Sequence, residues 1–147
     1  MSDQSVRLQA GLNNVGSYQV SGIPFLTGGL TAPSASATPA NAVPLVVQFP
    51  SVTQKIIIHN NCGSDYPLRV GFSANGVKGS NYWLVEAHQT NGKSNDRIEL
   101  RVKADKIYLL GHDATHNTTD IYVAAELTGI QPGFVLTDAY SGSAGIG

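Results

Sequence analysis

The chain has 147 residues, 41% of them hydrophobic and 13% charged, with a net charge of −1 and a single cysteine. That length suits one domain with a core of its own, and the sparse, scattered charge excludes the basic stripe that phosphate binding needs. One cysteine excludes an intrachain disulfide and a cysteine-based metal cluster, and no apolar run reaches the ~20 residues of a membrane helix.

In chain order, residues 1–14 read as a flexible polar arm in which Val6, Leu8 and Leu12 are the apolar positions, the candidates for contact with a partner. The start of the chain lacks the basic and apolar stretches of a signal peptide, so a reducing compartment is expected. The sequon Asn117-Thr118-Thr119 is then idle. A single domain is expected over 15–136. Ser17–Pro24 alternates and predicts a first strand closed by its proline. Thr31–Asn41, reading TAPSASATPAN, predicts a surface loop without a core residue.

Strands are predicted next at Val43–Phe49, Lys55–His59, Leu68–Phe72, Tyr82–Glu86, Arg97–Lys103, Lys106–Leu110 and Asp120–Leu127. Leu68, Val70 and Phe72 share one face. Ile98, Leu100 and Val102 point inward, while Arg97, Glu99, Arg101 and Lys103 point outward. Ile57 and Val70 are expected in or near the core, although the run Ile56–Ile58 is continuous and fits burial on both faces. Asn75-Gly76 and Asn91-Gly92 predict tight turns, and no helical period is found. Eight or nine short strands parted by Gly, Asn, Asp and Pro predict an all-β sandwich or barrel, and eight in two sheets is the jelly-roll number. The fold expected is a single jelly roll of about eight antiparallel strands. Residues 137–147, ending YSGSAGIG, read as a flexible tail.

Chemistry-bearing patterns are weak. Ala87–Ser94, reading AHQTNGKS, resembles a phosphate loop, but an alternating strand follows where a helix is required. A hairpin turn with a solvated lysine is expected there, with neither nucleotide nor zinc bound. His112 and His116, with Asp113 between them, have metal-pair spacing only on a helix, and their surroundings predict a loop. His59 and His88 look isolated. Ser73 lies nearest to a nucleophile elbow, but Asn75 stands where its second glycine belongs. Cys62 sits in a turn and reads as a small buried residue or a strand end. No catalytic, cofactor-binding or metal-binding residue is expected, and the chain does not read as an enzyme.

Phe49-Pro50-Ser51-Val52-Thr53, Ile56-Ile57-Ile58-His59-Asn60, the run from Leu68 to Val77, Asn81-Tyr82, Glu99-Leu100-Arg101-Val102 and the run from Ala124 to Ile130 occur in that order over most of the chain. In these segments the chain resembles the penton proteins of large icosahedral double-stranded DNA viruses of eukaryotes. The resemblance implies a single jelly roll, five copies of which close each capsid vertex. Its implied partners are itself, as a homopentamer, and the major and minor capsid proteins. It implies no catalytic residues and a location at capsid vertices of a virion assembled in the host cytoplasm, while the scattered charge and the lack of a long apolar run predict neither nucleic-acid binding nor direct membrane insertion. Glu126 stands oddly among the small and apolar residues of the last segment. The competing expectation is a sandwich binding module, lectin-like or host-attaching. Of its adjacent aromatics, Tyr82 and Trp83, alternation exposes at most one.

Overall fold

The structure, a computed structural model, describes residues 24–88 and 95–131. It contains strands β1 (Phe25–Ala32), β2 (Leu45–Gln48), β3 (Thr53–Asn60), β4 (Leu68–Gly71), β5 (Trp83–Val85), β6 (Arg97–Leu100), β7 (Lys106–Gly111) and β8 (Thr118–Leu127). One short helix, α1 (Ala74–Lys78), lies between β4 and β5. The strands form two antiparallel four-stranded sheets, ordered β1-β8-β3-β6 and β2-β7-β4-β5. The protein is an all-β sandwich. Its pairs are nested: β1 with β8, β2 with β7, β3 with β6, and β4 with β5. The β3–β8 and β4–β7 pairs complete the sheets. Every connection except β4–β5 passes from one sheet to the other.

Alternation sets the core between the sheets. Ile56 and Ile58 of β3 are fully buried, with Leu68 and Val70 of β4, Val85 of β5, Ile107 and Leu109 of β7, and Ile121 and Val123 of β8. Phe49 joins them, its ring edge-on to Phe25 with centroids 5.1 Å apart. Ile98, Leu100 and Val102 pack partly buried against this core, while Arg97, Glu99, Arg101 and Lys103 are exposed, as their alternation predicts. Ile57 is the correction. It is only half-buried and points to the outer face. A bulge between Thr53 and Lys55 in the β3–β8 register resets the parity, so buried Thr53 gives way to buried Ile56, Ile58 and Asn60.

The first described strand also differs from expectation. Residues 17–23 of the predicted Ser17–Pro24 strand lie outside the described residues, and β1 begins only after Pro24. Gly28-Gly29 lies within this strand. Gly29, at φ +65°, occupies the register shift between Thr27 and Leu30, the left-handed geometry of a bulge. At Gly28 a Cβ would stand 2.5 Å from the Tyr122 ring, so only glycine admits that ring against β1.

A second, smaller cluster corrects two further expectations. The loop after β1 does contain core residues: buried Ala35 and Ala42 pack with Val77 and Leu110, flanked by Tyr82 and Tyr108. That loop is pinned where Gly111 N donates to Pro33 O at 2.7 Å and Ala35 N to Asp113 O at 2.9 Å. Asn75-Gly76 is no turn but part of α1, because Ser73 Oγ accepts from Gly76 N at 2.9 Å and caps the helix. At the other end, Arg69 Nη1 donates to Val77 O at 3.3 Å, satisfying a terminal carbonyl. Ser73 is buried, so Ser73→Ala is expected to cost about 1–2 kcal/mol in denaturant melts, with Ser73→Asn less damaging. Asn91-Gly92 lies outside the described residues.

Candidate functional site

Val6, Leu8 and Leu12 lie outside the described residues, as do residues 89–94 of the AHQTNGKS segment. Asp113 is turned on its own loop: its Oδ1 accepts from Thr115 N and His116 N, both at 2.8 Å. These backbone donors, with His116, hold its carboxyl well below the usual carboxylate range. The two loop histidines diverge. His112 Nδ1 accepts from Arg69 Nε at 3.1 Å, whereas His116 stacks on Tyr66 with centroids 4.7 Å apart. Cys62 is buried just after β3, its Sγ 3.7 Å from Thr119 Oγ1 and beside no base, and Ser73 serves as the helix cap.

Glu126 finds its explanation on the outer face of the first sheet. Lys55 Nζ lies 3.0 Å from Glu99 and 3.8 Å from Glu126, so one lysine on β3 bridges carboxylates on both neighbouring strands. Beyond this row the face turns apolar. Leu26, Gly28, Ile57, His59, Tyr122 and Ala124 line a shallow groove of about 380 Å³. Leu26 is 76% exposed on edge strand β1, and Val43 and Val46 are exposed at and before edge strand β2. The remaining edge strands, β5 and β6, meet along a seam lined by Trp83, Leu84, Ile98 and Arg97, with Leu100 beside it. Trp83 is 61% exposed there, while half-buried Tyr82 packs against the smaller cluster under Arg69, whose guanidinium carbon is 4.6 Å from the ring centroid. Tyr82 precedes β5, and Trp83, although it shares parity with buried Val85, is exposed because it lies at the sheet edge, so strand alternation does not place this pair.

The structure also brings together three groups that looked unrelated in sequence. His59 stands at the end of β3, and its ring centroid is 6.0 Å from that of His88. His88 Nδ1 lies 2.6 Å from Asp96 Oδ2. The hydrogen bond from His88 lowers the Asp96 carboxyl below its ordinary range; burial opposes the shift, and the charge of His59 adds to it. The sequence signal was faint, since 28 residues separate His59 from His88 and only the β3–β6 register brings Asp96 alongside.

Among the described residues, no helix is long and apolar enough to cross a membrane. No family model, curated protein or solved structure matches the chain.

Proposed function

We propose that the chain is a structural capsid protein, a single jelly roll whose homopentamer closes the five-fold vertices of an icosahedral virion beside the major capsid protein. The nested strand pairing carries this reading. A ribbon of paired strands, β1 with β8 through β4 with β5, rolled into two four-stranded sheets is what a jelly roll requires. Capsid, lectin and cupin domains share that fold, so fold alone does not choose among them. Between the sheets the interior is packed with the large side chains of Phe49, Ile56, Ile58, Leu68, Ile107 and Leu109, all fully buried.

The flanks favour assembly. A closed ring needs two different surfaces on each copy, joined head to tail. Leu26, Val43 and Val46 stand exposed by edge strands β1 and β2, and Trp83 by edge strand β5. Covering them against a neighbour removes apolar area from water and shields the strand edges. Native mass spectrometry of the purified protein at tens of micromolar tests the ring. A species of five times the 15.4 kDa chain mass is expected, weakened by Trp83→Ser and Leu26→Ser. A monomer at all concentrations counts against it.

The second reading, a glycan-binding module, rests on Trp83, an exposed aromatic beside Arg97 and Asn95 along the seam. Binding on a glycan array, abolished by Trp83→Ala, would favour it.

A further inference from the structure

His59, His88 and Asp96 come from three separate stretches, and the backbone holds those stretches together independently of the side chains. Asn60 N donates to Asp96 O at 2.7 Å, which fixes the start of β6 beside the end of β3. Glu86 N donates to Asn95 O at 2.9 Å, which brings the exit from β5 to the same place. Buried Asn60 adds a tie across the sandwich, its Nδ2 lying 3.3 Å from Val85 O. His59 points outward because Ile58 and Asn60 point in. One ligating atom from each of His59, His88 and Asp96 lies within 4.8 Å of the other two.

We propose that His59, His88 and Asp96 form a binding site for a divalent transition-metal ion of the zinc class. Two imidazoles and a carboxylate are the borderline donor set that such ions take, and three protein ligands leave a fourth position open to water or to a neighbouring molecule. Donors at ~2.0–2.1 Å around a tetrahedral ion stand about 3.3–3.5 Å apart, so His88 and Asp96 must separate by under ~1 Å and His59 must approach by up to ~1.5 Å. The His88 side chain is 49% exposed and has room to rotate, whereas Asp96 is only 16% exposed and stays in place.

A surface ion pair between His88 and Asp96 accounts for two of these residues but leaves the convergence of His59 without a role. The charged groups nearby do not block the site. Arg97 is the β6 partner of His59 in register, and its guanidinium reaches Glu99 at 3.8 Å. On the other side the β8 partner is Tyr122, whose ring centroid is 6.5 Å from that of His59. An ion held here joins β3 of the first sheet to the connection leaving the second. It would therefore stabilise the sandwich by binding only the folded state. This inference does not depend on the capsid assignment.

The test uses the full chain, stripped with a chelator and titrated with cobalt(II) and zinc(II). Cobalt is expected to develop the intense visible absorption of a four- or five-coordinate ion. Zinc at about 100 times its dissociation constant is expected to raise the melting midpoint by on the order of 5–10 °C. His88→Ala, a change in an exposed connection, and His59→Gln should each weaken binding at least tenfold. The double change His112→Gln and His116→Gln should leave it unaltered. Absence of cobalt absorption together with an unmoved zinc melt overturns the proposal. So does binding that survives both His88→Ala and His59→Gln, or that disappears with the other two histidines.

Discussion

Shortening Ile58 to alanine is expected to destabilise the protein by about 3–4 kcal/mol, while the same change at Ile57 costs about 1 kcal/mol or less. Ile58 is fully buried between the sheets, where the atoms lost leave a cavity that the surrounding β-branched residues cannot fill. Ile57 is half-buried on the outer face beside Leu26 and Tyr122, where removal of its side chain opens the groove to water and leaves no void. Urea melts of the two variants measure the difference directly. Equal losses would mean that β3 is packed on both faces, and a larger loss at Ile57 would reverse its orientation.

The second large effect belongs to a polar residue. Asn60→Ala is expected to cost about 2–4 kcal/mol, as much as a sizeable core truncation. Asn60 is fully buried at the end of β3, and its side chain satisfies three backbone groups. Its Nδ2 donates to Tyr66 O at 3.2 Å and to Val85 O at 3.3 Å, and its Oδ1 accepts from Cys62 N at 3.2 Å. Alanine leaves all three without a partner in a site with little access to water, and each loses free energy it regains only when unfolded. Asn60→Asp keeps the acceptor but buries a charge, so it should be no better. The measurement is again equilibrium unfolding, and a loss below about 0.5 kcal/mol for Asn60→Ala would show that water replaces the side chain.

What the sequence disclosed follows from how local each signal is. Alternation is local, so the outward row Arg97, Glu99, Arg101 and Lys103 and the inward Leu68 and Val70 were legible, as was the two-sheet all-β class. A run of three isoleucines carries no alternation of its own. Its parity depends on the bulge near Thr53, and on Asn60 being buried when composition suggests exposure. Asn75-Gly76 has the composition of a hairpin turn, yet the Ser73 cap and the Arg69 contact at the far end close one helical turn instead. No strand was legible over Phe25–Ala32, since the Tyr122 ring that requires Gly28 lies 94 residues away on β8. The convergence of His59, His88 and Asp96 was illegible on the same ground: it exists only through the β3–β6 register and the tie between Glu86 and Asn95.

The capsid assignment is tested most directly by an electron-microscopic reconstruction of purified particles in which mass spectrometry detects this chain. The expected result is five copies of the sandwich around each five-fold axis, with the β1–β2 flank of one copy against the β5–β6 flank of the next. Vertices built by a different chain, or this chain found only away from the five-fold axes, would contradict it.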